Sequence, residues 1–168
     1  MSSKMATFNK PADWVDATEQ DVEVVSRLIG KTPQGEFRVV VRNDAGAPVV
    51  IENSPFFFDG TPMPTRYWLV DPELVADVSR VESSGGVKKV QKEIALDKIS
   101  AIHEKHNLER NSLIPENYDG PKPTGGVGGT RQGIKCLHTH VANLLGSGDD
   151  LVGQWTLNEI EKMKLETK

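Results

Sequence analysis

Apolar positions first recur at helical spacing between residues 18 and 30. Thr18 precedes Glu19 and Asp21, and Val22, Val25 and Ile29 follow, with Leu28 beside them. A hydroxyl able to accept from first-turn amides, two acids at the positive helix end and Gly30 past the last apolar residue predict a helix of roughly three turns. The period then changes to two. Phe37, Val39 and Val41 alternate with polar neighbours over residues 36–42, Asn43-Asp44-Ala45-Gly46 is turn chemistry, and residues 49–52 read as the returning strand of a hairpin. Phe56-Phe57-Phe58 runs into a second turn at Asp59-Gly60, and Pro62 and Pro64 keep the chain extended towards a third strand at residues 66–70. Phe56, Phe57, Phe58 and Trp68 read as core.

Helical spacing returns at Asp71-Pro72, where Asp caps and Pro takes the first helical position, with Leu74, Val75, Val78 and Val81 on one face. A longer helix is predicted over residues 87–107, with Val90, Ile94, Ile99 and Ile102 inward and a Lys- and Glu-rich face outward. Residues 108–133 have no clean period and hold three prolines and six glycines. They predict a long Pro/Gly-rich loop, with residues 108–130 mobile in the absence of a ligand. A further helix is expected over residues 134–145, and a short one after Trp155 with Thr156 as its cap. Residues 1–17 read as a flexible tail and residues 18–168 as a single α+β domain, a small, mainly antiparallel sheet covered by helices.

Composition sharpens this only by exclusion. A chain of 168 residues with 37% hydrophobic and 26% charged residues can bury a core without a metal or a disulfide. Its formal net charge of −4 gives no overall basic field, so nucleic acid is not an expected partner. No run reaches the roughly 18 apolar residues of a membrane span, and the first ten residues lack the apolar core of a signal peptide. The one cysteine, Cys136, cannot form an internal disulfide. Together these place the protein in the cytoplasm, away from membranes. Its protein partners and cofactors are left open.

Candidate chemistry gathers between residues 125 and 143. Gly125-Gly126-Val127-Gly128-Gly129-Thr130-Arg131-Gln132-Gly133 leads into the helix expected at residue 134. Glycines allow close backbone approach, a helix N-terminus offers unpaired N–H groups, and Arg131 and Lys135 add two cations. This predicts a cradle for a phosphate or carboxylate, with Gly128, Gly129, Arg131 and Lys135 as contacts and a flexible linker as the competing explanation. It is not a Walker A loop, because Ile134-Lys135 stands where Lys followed by Ser or Thr is required. On a regular helix Cys136, His140 and Asn143 share a face by their spacing of four and three, opposite Ile134, Leu137, Val141, Leu144 and Leu145, and His138 falls apart from the trio. Cys136 is then a candidate nucleophile with His140 as its base, and His138 and Asn143 candidate ligand contacts. The competing reading of Cys136 is a small buried hydrophobe. A metal site is not favoured; built from the clustered imidazoles and the thiol, it would join His103 or His106 to Cys136 or His140. Without a metal, His103 and His106 read as a surface pair.

Lys135-Cys136-Leu137-His138, followed by His140 and preceded by glycines, resembles the signature of a bacterial family of unknown function, DUF501. Leu28-Ile29-Gly30-Lys31-Thr32-Pro33-Gln34-Gly35, the run from Pro55 through Asp59-Gly60-Thr61-Pro62-Met63-Pro64-Thr65 to Tyr67-Trp68-Leu69, His103-Glu104 with Arg110, and Val152-Gly153-Gln154-Trp155 are similar to further family segments. The likeness covers about residues 20–156. Some relatives carry cysteines in the first hairpin turn, where this chain has Asn43-Asp44-Ala45-Gly46, and many have Asn-Pro where it has Asp150-Leu151. The resemblance implies no established reaction. Its members' genes often lie near those of a septum-formation protein, an enolase and an exopolyphosphatase, which points towards phosphate metabolism or cell division. The favoured expectation is binding of a phosphorylated or otherwise anionic small molecule at residues 125–143, with catalysis by Cys136 and His140 as an addition. The alternatives are a non-catalytic interaction or scaffold protein linked to cell division, and a small metal-binding protein.

Overall fold

A computed structural model describes residues 7–167. Three strands, β1 (Phe37–Arg42), β2 (Pro48–Asn53) and β3 (Tyr67–Leu69), form one antiparallel sheet in the order β1-β2-β3. Helix α1 (Glu19–Ile29) precedes the sheet. After it come α2 (Pro72–Ser83), α3 (Gly86–Glu93), α4 (Leu96–Asn111), a short 3-10 turn (Val127–Gly129), α5 (Leu137–Ser147) and α6 (Leu151–Glu166). The protein is thus the expected single-domain α+β fold. Among the described residues, no helix is long and apolar enough to cross a membrane.

Two cores flank the central strand. Ile51 packs with Val25 of α1, Phe37 and Val70, while Val49, Val50 and Tyr67 pack with Ala142 of α5. The sheet therefore has α1 on one face and α5 on the other. A third and larger core is wholly helical, joining Val78, Val81, Val90, Ile99, Leu137, Val141, Val152 and Ile160. Helix α5 takes part in both the sheet-side and the helical core, so its polar positions have little open water to face.

Local signals set several boundaries as expected. Thr18 and Asp21 form a reciprocal capping box, and Gly30 closes α1 in the left-handed region at φ 75°. The Asp71 carboxylate accepts from the Leu74 amide, with Pro72 in the first turn. Glu52 lies fully buried on β2, and Arg38 of β1 (2.8 Å) and Arg66 (2.9 Å) donate to its two oxygens.

Other boundaries differ. The helix expected over residues 87–107 is two helices, broken at Ile94 and Ala95, whose backbones are extended. Helix α4 runs on to Asn111, taking the first residues of the predicted loop. The last helix begins at Leu151 with Asp150 as its cap, so Trp155 and Thr156 lie inside it, and the Thr156 hydroxyl donates to Val152 O. Of the predicted tail, residues 1–6 lie outside the described residues. The rest is tied to the body: the Asn9 amide donates to Leu113 O at 2.6 Å, and Arg38 stacks on the Trp14 ring at 4.7 Å.

Candidate functional site

The largest correction concerns α5. The helix starts at Leu137, not at residue 134, and Cys136 is its N-cap with an extended backbone (φ −153°, ψ 156°). A face argument that extends a regular helix through Cys136 therefore fails, because that residue lies off the wheel. Its thiol turns towards Glu82 and His138, and one ligand atom from each of these three residues lies within 4.8 Å of the others. His138, which the spacing set apart from Cys136, is its neighbour. His140, which the spacing paired with Cys136, faces a different set of groups.

Glu82 organises the first group from the last turn of α2. Its Oε1 accepts the Leu137 amide at 2.6 Å and faces His138 Nδ1 at 3.1 Å. The positive end of α5 thus already has a carboxylate, from the chain itself, where the sequence suggests space for an external anion. On the far side of the ring, His138 Nε2 lies 3.2 Å from Val75 O and 3.1 Å from Ser79 Oγ. A carbonyl can only accept, so Nε2 carries a proton. Cys136 Sγ also lies 3.4 Å from Thr139 Oγ1. Burial raises the Cys136 thiol, but hydrogen bonds from His138 and Thr139 outweigh it and hold the group below its ordinary value. His138 moves the opposite way, raised by Cys136 against the effect of burial, with the Glu82 charge and Val75 carbonyl adding to the rise.

The second group is buried. His140 Nδ1 donates to Asp150 Oδ2 at 2.9 Å, Asn143 Nδ2 donates to the same oxygen at 2.9 Å, and the Gly153 amide donates to Oδ1. Asp150 is therefore both the N-cap of α6 and the partner of two α5 side chains. Gly153 is needed here, since a Cβ would lie 2.5 Å from His140 O where the two helices cross. The other nitrogen of His140, Nε2, is buried without a hydrogen-bond partner among the described residues, as is His106 Nδ1.

His103 lies over this network, its ring 5.7 Å from that of His140. The Val127 amide donates to Nδ1 (3.1 Å), so Nε2 bears the proton and donates to Gly133 O (2.6 Å). His103 and His106 are buried, at 4% and 3% exposure, and do not form the expected surface pair. Ile99, His103, His106 and Arg110 recur at spacings of four, three and four and continue the inward stripe of α4. Burial lowers His103, and burial with the nearby Arg110 and Arg66 charges lowers His106 to about 3. Arg110, 1% exposed, donates to the carbonyls of Pro64 (2.8 Å), Gly125 (3.0 Å) and Pro123 (3.3 Å). Burial brings its guanidinium down to about 10.

The glycine-rich segment fits around these side chains. A Cβ on Gly126 would collide with His103, and one on Gly128 (φ 69°) would lie 3.2 Å from Thr139 Oγ1. Gly129 meets Pro64 only at ordinary contact distance, 3.4 Å, and its φ of 81° is what favours glycine there. The glycines let the loop pass over α4 and α5. Lys135 turns back to donate to Gly128 O at 3.3 Å, away from Arg131. Arg131 instead lines a groove of about 550 Å³ with Lys122, Ser100, Asn107, Glu104 and Gly125. The expected cradle is thus divided: Arg131 faces the groove, Lys135 and Gly128 pack on each other, and Cys136 and His138 lie with Glu82. Sequence reasoning missed Glu82 and Asp150. Asp150 has a legible signal, an Asp just before apolar Leu151 and Val152. Glu82 has none near Cys136.

The family described as "Protein of unknown function (DUF501)" matches residues 39–158, more than two thirds of the chain. An α+β domain of this build, with its Lys-Cys-Leu-His segment at the start of a central helix, belongs to that family. No curated protein and no solved structure matches it.

Proposed function

We propose that the protein binds a phosphorylated or otherwise anionic small molecule in the groove between α4 and residues 122–131. One observation carries the reading: Lys122 and Arg131 line this groove together, and neither forms an ion pair among the described residues. Lys10, Arg42 and Lys105 are paired with carboxylates, whereas Lys88, Lys89 and Lys98 are, among the described residues, as free of ion pairs as Lys122 and Arg131, so the shared groove is what sets these two apart. The opposite wall adds neutral donors. Asn107 Oδ1 accepts from Arg110 and from Asn111, which leaves the Asn107 amide group for a ligand. Glu104 lines the same space and would meet a hydroxyl or amine of the ligand, not its anionic group. Lys135 and the α5 N-terminus, which the sequence places in the anion site, stand outside this reading because Gly128 O and Glu82 engage them. Catalysis by Cys136 with His140 stands outside it too, since the His140 ring is completely buried.

Thermal unfolding with phosphate, pyrophosphate, polyphosphate and common nucleotides tests this. A ligand at a hundred times its Kd stabilises the fold by about 2.7 kcal/mol. The stabilisation is expected in the wild type and in Lys135→Ala, and is expected to vanish in Lys122→Ala/Arg131→Ala. Equal stabilisation of the wild type and the double variant, or none in either, would remove the reading.

A further inference from the structure

The geometry points to a zinc-type metal site formed by Glu82, Cys136 and His138, separate from the anion groove. A carboxylate oxygen, an imidazole nitrogen and a thiol sulfur converge from α2 and the start of α5, all within 4.8 Å of one another. Sulfur, nitrogen and oxygen together match the borderline-soft preference of Zn²⁺ and suit Mg²⁺ or Ca²⁺ poorly.

The imidazole is oriented as a metal ligand is oriented. Its Nε2–H points at the Val75 carbonyl (3.2 Å), which fixes the ring and leaves Nδ1 turned to Glu82 (3.1 Å). In many metal sites the second histidine nitrogen donates to a backbone carbonyl in this way. Nδ1 therefore faces an oxygen that can only accept, and either a proton on Nδ1 or a metal cation displacing that proton satisfies both. Ser79 Oγ, 3.1 Å from Nε2, adds a second restraint on the ring. The Glu82 oxygen is fixed as well, by the Leu137 amide at 2.6 Å.

Glu82, Cys136 and His138 are each half-buried, so a metal held by these three protein donors would take its fourth ligand from water or a substrate atom. Three ligands with an open fourth position is the pattern of catalytic zinc, whereas structural zinc has four protein ligands. The buried imidazoles of His103, His106 and His140 form no comparable group of three donors among the described residues. This ligand set replaces the one expected from the sequence, which joined those imidazoles to Cys136.

Cobalt(II) titration of untagged, chelator-treated full-length protein reads the site directly. The expected result is one equivalent bound, with a thiolate-to-cobalt charge-transfer band in the near ultraviolet, visible bands of four-coordinate cobalt, and displacement by Zn²⁺. Cys136→Ser is expected to lose the charge-transfer band, and His138→Asn, which removes a ligand, to weaken binding by more than the roughly tenfold seen when only a group supporting a ligand is lost. Glu82 also caps α5, so Glu82→Gln is a poor single probe. Protection of Cys136 from iodoacetamide by Zn²⁺ supplies a second readout on the unaltered chain. No cobalt binding by the wild type, a spectrum unchanged in Cys136→Ser, or alkylation at the same rate with and without Zn²⁺ would each overturn the proposal.

Discussion

His138 and His140 are two residues apart on one helix and occupy different media. His138 keeps about a quarter of its side-chain surface in solvent, has acceptors at both ring nitrogens and lies beside a thiol. His140 has no exposed side-chain surface, has one nitrogen on Asp150 and leaves the other unpartnered. The difference separates a place where chemistry has access from one where it does not. Beside His140, the Asp150 carboxylate joins α5 to α6 through His140 Nδ1, Asn143 Nδ2 and the Gly153 amide, and removing it strands those donors. Around His138 the donor atoms of Glu82, Cys136 and His138 converge at half-buried positions.

The sharpest way to break this contrast is at Asp150. Replacing it with Ala removes the α6 cap and leaves His140 and Asn143 buried without their shared acceptor. Removing one partner of a buried pair costs ~3–5 kcal/mol, so urea denaturation is expected to show a loss of that size. A loss below about 1 kcal/mol, the level of an ordinary surface change, would mean that the network is not structural.

Acid titration comes next. The buried His106 has its folded value near 3, below the ordinary 6.5, so the unfolded chain takes up the proton first. Its contribution is complete above about pH 6.5 and is lost as pH falls from there towards 3, at a slope of about 1.4 kcal/mol per pH unit. His103 is lowered in the same direction and adds to this loss. Urea midpoints between pH 7 and pH 4 measure the slope, and His106→Leu is expected to flatten it. An equal slope in the variant would show that His106 is protonated in the fold.

A smaller effect concerns the loop. The Val127 amide has His103 Nδ1 as its acceptor. His103→Phe is expected to speed its hydrogen exchange about tenfold, the effect of one lost hydrogen bond. Amides at residues 116–122 should exchange fast in both proteins, since few of them are hydrogen-bonded. Uniformly fast exchange across 116–130 in the wild type would detach the loop from the buried network. The smallest change expected is that of Cys136→Ser in the metal-free protein, under about 1 kcal/mol by urea denaturation, because a half-exposed thiol contributes little packing.

Much of the fold was legible because its signals were local. Thr18 with Asp21, Asp71 with Pro72, and the alternation of Phe37, Val39 and Val41 each act within a few residues. The break at Ile94 and Ala95 was hard to read, since neither residue is Gly or Pro and its one signal is the step of five from Ile94 to Ile99. The site was half legible. Residues 125–143 do contain Arg131, Cys136, His138 and His140, but the grouping of those side chains depends on where α5 begins. Glu82 helps set that start from α2, and nothing near Cys136 announces it. His103 and His106 read as surface because polar residue types mask a stripe whose spacing continues that of Ile99 and runs on to Arg110.

The contact from Glu82 to Leu137 also bears on the order of folding. It joins positions 55 residues apart, whereas the hairpin of β1 and β2 and the pair α5 and α6 close over short loops. Closing a long loop loses more entropy than closing a short one, so near-neighbour pairs can form before this clasp is made. An interaction absent from the transition state acts on the unfolding rate and leaves the refolding rate almost unchanged. Glu82 would then serve as a latch, setting how long the assembled α5 start survives more than how quickly the chain finds it.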